Sequence, residues 1–293
     1  MLRYQETPII RIESRISEQA GLSLFIKRED QNHPLVSGNK WWKLKYNLEE
    51  VVRLGSDTLL TFGGAYSNHL YATAAAAHEL GLKSIGIVRG EEILPLNPTL
   101  EFAQSMGMRL HFVSREVYRD KSNPSFIDSL YRQFGDFYML PEGGTNALAI
   151  RGVEEFGKQL MQEDDFDYVC LPVGTGGTMA GLINAISGPR FIGFSSLKGG
   201  GFLKDEVSKW LTSGHNNWQI ETNFHFGGYG KTTDSLINFI GQFESDNGIP
   251  LDPVYTGKMM FGIFEMIKAK VFPAGSKILA LHTGGLQARV RMA

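Results

Sequence analysis

The sequence predicts an α/β protein with two domains, each built on an open, mainly parallel twisted sheet flanked by helices. Short apolar runs typical of strands alternate with helical patterns along most of the 293 residues. Glycine is unusually frequent, at 34 residues, and many glycines stand in short clusters between these segments. Because ligands bind at the carboxyl ends of parallel strands, the clusters mark the predicted site.

The predicted elements follow one another from the amino terminus. Segment 39–54 is predicted as a helix because Trp42 and Val51 belong to one broad apolar stripe. The other predicted helices are 67–80, 99–106, 124–134 and 147–161, with one more opening after the glycines at 174–178. The predicted strands are 23–26, 58–62, 84–88, 109–113, 137–140, 168–173, 191–197 and 278–281.

The order of these elements predicts a smaller α/β domain, residues 48–140, inserted into a larger one. The larger domain would consist of residues 1–47 and 141–293. We expect the site in the cleft between the two, because glycine-rich strand ends occur in both parts of the chain.

Composition excludes several classes of protein. The formal net charge of −2 gives no indication of a nucleic acid or an anionic membrane as partner. No apolar run approaches the ~20 residues that a membrane-spanning helix needs, and the first residues lack the apolar core of a signal peptide. The single cysteine, Cys170, excludes an intrachain disulfide, and no residues have metal-ligand spacing. We therefore expect a cytoplasmic protein that needs no metal.

A glycine loop follows the buried strand at 168–173 and opens a helix. Backbone N–H groups and a helix N-terminus at such a loop bind a phosphate. The loop lacks the lysine that nucleoside triphosphate-binding loops require. It also lacks the third glycine of the dinucleotide-binding fingerprint, since Met179 stands at that position. It therefore fits a lone phosphate monoester, although an ordinary strand-to-helix turn is the alternative. The residues concerned are Gly174, Thr175, Gly176, Gly177 and Thr178.

Other glycine junctions carry polar side chains. Lys40 follows Gly38 where a helix begins, and Lys43 lies one turn later on the same face, although either lysine taken alone is usually a solvated surface group. The strand at 58–62 is followed by Ser67, Asn68 and His69. The alternative to a functional role is that Ser67 or Asn68 is simply the N-cap of the next helix. Three further junctions hold Tyr229, Tyr255 with Thr256, and Thr283.

Together these segments resemble the family of D-cysteine desulfhydrases and 1-aminocyclopropane-1-carboxylate deaminases. That family belongs to the tryptophan-synthase-β-like, fold type II enzymes that depend on pyridoxal 5'-phosphate (PLP). The resemblance runs in order from Lys27-Arg28-Glu29-Asp30 to His282-Thr283-Gly284-Gly285. It implies PLP in the cleft, a small amino-acid substrate and a homodimer.

The resemblance also implies roles for single residues. Lys40 would carry PLP as a Schiff base, Asn68 would contact the ring hydroxyl, and Thr283 would face the pyridine nitrogen. Residues 174–178, helped by Lys43, would hold the phosphate. The residues expected at the substrate are Ser67, Asn68, His69, Tyr229, Tyr255 and Thr256, with Lys40, Ser67 and the two tyrosines as the catalytic set.

Two departures from the family pattern bear on the reaction. Thr256 stands where the deaminases carry a glutamate, and Trp41-Trp42 replaces a position that is usually arginine. A neutral hydroxyl such as Thr283 at the ring nitrogen favours prompt loss of a β-leaving group. The expected reaction is therefore β-elimination, with D-cysteine giving pyruvate, hydrogen sulfide and ammonia. The alternatives are 1-aminocyclopropane-1-carboxylate deamination and a non-catalytic PLP-binding protein.

Overall fold

A computed structural model describes residues 2–212, 214–287 and 289. The strands are β1 (Ile9–Arg11), β2 (Ser23–Lys27), β3 (Thr58–Gly64), β4 (Lys83–Arg89), β5 (Met108–Val113), β6 (Tyr138–Leu140), β7 (Tyr168–Val173), β8 (Arg190–Ser195), β9 (Trp218–Glu221) and β10 (Lys277–Leu281). The helices are α1 (Arg15–Gln19), α2 (Asn39–Leu54), α3 (Asn68–Glu79), α4 (Pro98–Ser105), α5 (Arg115–Arg119), α6 (Pro124–Phe134), α7 (Ala147–Leu160), α8 (Gly177–Ala185), α9 (Leu203–Ser208), α10 (Asp234–Asn247) and α11 (Thr256–Lys268). None of these helices is long and apolar enough to cross a membrane.

The strands form two separate sheets. One has the order β1-β2-β10-β7-β8-β9, and all its neighbours are parallel except the pair β1–β2. The other has the order β5-β4-β3-β6 and is parallel throughout. Both are covered by helices, so the predicted α/β class is confirmed.

All strands of the second sheet lie between residues 58 and 140, inside the segment predicted to be inserted. The predicted boundaries themselves stay a prediction. Helix α2 continues through residue 48, and its Leu44, Leu48 and Val51 pack in one cluster with Leu59 of the second sheet. Residues of α2 on both sides of the predicted boundary at residue 48 therefore pack against the second sheet.

Helix termini follow the capping residues in the sequence. Helix α2 ends at Leu54 because Gly55 takes a left-handed conformation with φ of +65°. Helix α3 begins one residue later than predicted because the Ser67 side chain is its N-cap. The Ser67 hydroxyl accepts hydrogen bonds from the backbone N–H groups of His69 and Leu70, both at 3.2 Å.

The two tryptophans at 41 and 42 belong to the core. Trp42 is buried, stacks on Phe156 at 5.2 Å and donates from Nε1 to the Glu29 carboxylate at 2.6 Å. Trp41 lies against Trp42 with ring centroids 4.9 Å apart. Neither side chain reaches the cavity described below. The departure from the family pattern at these positions therefore changes packing between α2 and α7.

Gly152 allows α2 and α7 to approach closely. A Cβ atom at this position would lie 2.0 Å from the backbone carbonyl oxygen of Trp42. We expect Gly152→Ala to cost about 1–3 kcal/mol or more of stability, because backbone has to move to admit the methyl group. In thermal unfolding of the PLP-saturated protein, we expect the melting temperature to fall by about 2–4 °C for each kcal/mol of lost stability.

The matched control is Gly241→Ala in the middle of α10, where a Cβ would have nothing within 4 Å. There we expect a gain of about 0.5–1 kcal/mol, since alanine favours the helix. Equal melting temperatures for the two variants would contradict the close helix contact.

Candidate active site

A cavity of about 640 Å³ lies where strands of both sheets end. Its wall includes Gly64 and Arg89 from the second sheet, Val173 from the first, and Thr283 from the loop after β10. The amino terminus of α2 also faces it. A site at the carboxyl ends of parallel strands is the arrangement that the glycine clusters predict.

Lys40 lies in this cavity, two residues after the N-cap Gly38. Burial lowers the pKa of its amine to about 8. Within the described residues, nothing accepts a hydrogen bond from Lys40. The Lys40 amine therefore stands in the cavity wall without a hydrogen-bond partner from the described part of the chain.

Gly38 fixes Lys40 relative to Thr283. Its φ is +72°, and a Cβ would lie 2.0 Å from the Thr283 carbonyl oxygen, so only glycine fits here. The loops before α2 and after β10 thus pack backbone to backbone. This contact brings Lys40 and Thr283 to the same cavity, as the sequence predicts.

The loop after β7 forms a concave cradle at the amino terminus of α8. Gly176 has a φ of +80°, and Gly174, Thr175 and Thr178 line the cavity with it. Gly177 lies behind the cavity wall, where its Cβ would meet the Thr145 side chain at 2.6 Å. The exposed N–H groups and the helix dipole make the cradle suited to a phosphate.

Side chains from other segments complete this cradle. Asn39 donates from Nδ2 to the Thr178 hydroxyl at 2.8 Å, which joins the starts of α2 and α8. The Lys43 ammonium donates to the Thr145 hydroxyl at 2.8 Å, and that hydroxyl shares a 2.8 Å hydrogen bond with Thr175. Lys43 is buried, and burial together with the charge of Lys40 depresses its pKa.

The junction after β3 provides the opposite wall. Ser67, Asn68 and His69 all line the cavity, but they differ in their bonds. The Asn68 carboxamide oxygen accepts from Gln287 Nε2 at 2.6 Å, so its NH₂ group is directed elsewhere. The His69 ring is buried and bonds Thr61 through Nε2 at 2.9 Å. The Nε2 bond fixes the His69 ring, while its Nδ1 has no partner among the described residues, and its contact with the substrate stays a prediction.

Two tyrosines lie side by side in the cavity. The rings of Tyr229 and Tyr255 are 6.1 Å apart, and Tyr229 donates to the Tyr66 carbonyl at 3.0 Å. Burial raises the pKa of Tyr229 to about 12 and also raises that of Tyr255 well above its ordinary value. Both phenols are therefore protonated at neutral pH.

Thr256 does not line the cavity. It is fully buried, and its hydroxyl donates to the Asp252 carboxylate at 2.6 Å and accepts from the Asp252 N–H at 2.9 Å. The structure thus corrects the expectation that Thr256 contacts the substrate. Asp252 holds this hydroxyl while its carboxylate also accepts from the backbone N–H of Val254 and Tyr255 at the start of α11.

The comparison with protein families decides the identity. Residues 1–284 match the family described as pyridoxal-phosphate dependent enzyme. The chain belongs to this family. It is a PLP-dependent enzyme, as the resemblance implies.

Several individual proteins are similar to this chain over most of its length. The chain is 32% identical over 298 residues to a putative 1-aminocyclopropane-1-carboxylate deaminase of Pyrococcus abyssi, covering 96% of this chain and 89% of the relative. It is 32% identical over 293 residues to a mitochondrial bifunctional D-cysteine desulfhydrase/1-aminocyclopropane-1-carboxylate deaminase of Arabidopsis thaliana, covering 91% and 73%. The solved structure of an ACC deaminase homologue superposes with a TM-score of 0.85 at 28% identity, covering 99% and 92%.

The cavity of this PLP enzyme fits the cofactor. An unpartnered amine, a glycine cradle at a helix N-terminus and the buried Lys43 ammonium provide the features that an aldehyde with a phosphate arm requires. A Cβ on Gly174 would lie 3.4 Å from the Tyr255 ring, so the cradle also stays narrow on the tyrosine side.

The cavity also contains residues that the sequence did not single out. They include Thr145 in the cradle, and Arg89, Lys121 and Glu142 at the side formed by the second sheet. The segment Pro141-Glu142-Gly143-Gly144 after β6 was visible as another strand-to-glycine junction. Nothing local in the sequence distinguishes Arg89 from other arginines.

Proposed function

We propose that this PLP enzyme catalyses β-elimination from a small amino acid, with D-cysteine as the foremost candidate. One molecule each of D-cysteine and water would give pyruvate, hydrogen sulfide and ammonia. The observation that carries the proposal is the cavity itself, in which the Lys40 amine, a phosphate cradle and two protonated tyrosines meet. The name of the Arabidopsis relative supports D-cysteine.

Each part of the cofactor has residues suited to it. Lys40 would bind the aldehyde covalently, and residues 174–178 with Lys43 would hold the phosphate. The Asn68 NH₂ group would donate to the ring hydroxyl, and Thr283 would face the ring nitrogen. Bound PLP withdraws electrons from the α-carbon of the amino acid.

The side chains would then move protons. Lys40, once displaced by the substrate amine, or Ser67 would take the α-proton. The Ser67 region at the start of α3 would bind the substrate carboxylate. Tyr255 or Tyr229 would protonate the leaving thiolate, because both phenols hold their protons at neutral pH.

Thr283 and Thr256 favour elimination over ring opening. Thr283 is the side chain proposed at the ring nitrogen, and as a neutral hydroxyl it stabilises a positive ring nitrogen less than a carboxylate would. Thr256 is buried against Asp252, so the position after the second tyrosine supplies no acid to the cavity. Loss of a thiolate needs less carbanion stabilisation, because the leaving group carries the negative charge away.

Deamination of 1-aminocyclopropane-1-carboxylate is the second candidate, favoured by the name of the Pyrococcus relative. A panel of D- and L-cysteine, D- and L-serine, β-chloro-D-alanine and 1-aminocyclopropane-1-carboxylate separates the two. We expect hydrogen sulfide and pyruvate from D-cysteine, with weak or no release of 2-oxobutanoate from the cyclopropane. Steady 2-oxobutanoate release without hydrogen sulfide from either cysteine would overturn the proposal. A spectrum of bound PLP with no turnover would indicate a non-catalytic protein.

We also propose a cytoplasmic homodimer with the domain boundaries given above. The dimer follows from the family resemblance, and the location from composition. A monomeric mass in solution would remove the dimer without affecting the site.

A further inference from the structure

Arg89 lies beside the loop that leads to Ser67. It ends β4, where the register pairs it with Gly64 of β3. A Cβ on Gly64 would lie 3.3 Å from Nη2 of Arg89, so the guanidinium lies over this glycine. The Gly64 carbonyl accepts from the Ser67 N–H at 3.0 Å, which places Arg89 next to the proposed carboxylate site.

The positive charge of Arg89 has no carboxylate partner among the residues that the structure describes. Its guanidinium instead lies over the Tyr118 ring, 5.6 Å from the centroid. Lys121 lies 5.0 Å from the same ring, but its ammonium is paired with Glu142 at 3.2 Å. This side of the cavity thus contains one ion pair and one uncompensated cation.

An uncompensated guanidinium in a substrate cavity is suited to a carboxylate or a similar anion, which it binds with two parallel hydrogen bonds. Lys40 and Lys43 are already assigned to the aldehyde and the phosphate of PLP, and the Ser67 region to the α-carboxylate. With the α-carboxylate assigned to the Ser67 region, the part of a small amino acid left to carry an anion for Arg89 is a substituent on the β-carbon. Tyr229 lies near enough for the charge of Arg89 to oppose the rise in its pKa.

We propose that Arg89 binds an anionic group on the β-carbon of the substrate, and so selects amino acids with an acidic side chain. This inference rests on the proposed function, because it uses the same amino-acid site. The thiolate of cysteine is the smallest member of the class, and a β-carboxylate fits the geometry of a guanidinium better.

Aspartate and asparagine provide the test, because they have the same shape and differ in charge. Both enantiomers of each are titrated into the PLP-loaded enzyme, and dissociation constants are obtained from the absorption change or calorimetry. We expect aspartate of one hand to bind roughly tenfold or more tightly than the matching asparagine, as for a charge-assisted pair. The ratio of the asparagine to the aspartate dissociation constant should fall to about 1 in Arg89→Gln. Arg89→Lys should keep part of the preference, because lysine keeps the charge.

The matched control is Arg109→Gln. Arg109 lies on the neighbouring strand β5, also over an aromatic ring, Phe134 at 4.9 Å, but outside the cavity. This variant should keep the aspartate preference, and Arg89→Gln should keep the affinity of the wild type for PLP. A second comparison, the double variant Lys121→Gln/Glu142→Gln, removes the neighbouring ion pair as a unit and should also keep the preference.

Three results would overturn the inference: equal binding of aspartate and asparagine by the wild type, an unchanged ratio in Arg89→Gln, or loss of the preference only in the Lys121→Gln/Glu142→Gln double variant. The proposed function fails separately, through the absence of hydrogen sulfide from cysteine. The binding ratio is measurable in either case.

Discussion

Replacing Lys40 by alanine is expected to abolish turnover and the yellow colour of the PLP-loaded enzyme. Lys40 is a partly buried lysine whose amine has no hydrogen-bond acceptor within the described part of the chain, and desolvation in the cavity brings its pKa to about 8. A neutral amine is the form that attacks an aldehyde, so this lysine is prepared for a covalent bond. We expect kcat to fall by roughly 10³ or more, since the residue both holds the cofactor and moves a proton.

Two other buried lysines serve as controls. Burial also lowers the pKa of Lys258 to about 8, but its ammonium donates to the carbonyls of His225 and Gly228 at 2.9 and 2.8 Å. Lys43 is bonded to the Gly143 carbonyl and the Thr145 hydroxyl. Borohydride reduction followed by peptide mapping should therefore find PLP on Lys40 in the wild type. PLP fixed to Lys43 or Lys258 in the wild type, or a reducible bond retained in Lys40→Ala, would contradict the assignment.

The regular parts of the fold were predictable because their signals are local. Helix α2 was predicted with both ends correct, since Gly38 and Gly55 mark them. The strands β1 and β9 were not predicted. They have three and four residues, too few for a periodic pattern, and they form only when β2 and β8 are present as partners.

The residues of the cavity also differ in whether a local sequence signal marks them. Thr283 was predictable in the cavity because it follows β10, and parallel strands direct their carboxyl ends to one edge. Lys40 was assigned through the family resemblance, since a single lysine before a helix is usually a surface group. Arg89 reaches the cavity only through the register of β4 against β3, and Gln287 meets Asn68 across 219 residues of sequence. Such contacts depend on tertiary packing, which a single sequence does not display.

Thr256 shows how a local motif misleads. Tyr255 and Thr256 are neighbours in sequence, but successive helical residues point about 100° apart. Tyr255 precedes α11 as its N-cap, and Thr256 is the first residue of the helix, so the two side chains leave the chain in different directions and only the Tyr255 ring lines the cavity. The threonine hydroxyl turns to Asp252, which satisfies it in the core.

Removal of the Tyr255 hydroxyl should have the second large effect on the reaction. Burial keeps the Tyr255 phenol protonated by raising its pKa, and its ring lies against Tyr229, whose own hydroxyl donates to the Tyr66 carbonyl at 3.0 Å. Because the Tyr229 proton is held by this carbonyl, we expect Tyr255 to donate the proton and Tyr229 to orient it. We expect Tyr255→Phe to lower kcat for D-cysteine by about 10²–10⁴, with KM little changed, and Tyr229→Phe to lower it less.

The leaving group decides whether this loss reflects proton donation. Chloride leaves β-chloro-D-alanine without needing a proton, whereas the thiolate of D-cysteine leaves more readily as a thiol. If Tyr255 is the acid, Tyr255→Phe should lose far more activity with D-cysteine than with β-chloro-D-alanine. An equal loss with both substrates would assign the hydroxyl to positioning instead, because a misplaced substrate affects either leaving group alike. The comparison uses one variant and one cofactor-loaded preparation, so a change in folding or PLP content affects both rates equally.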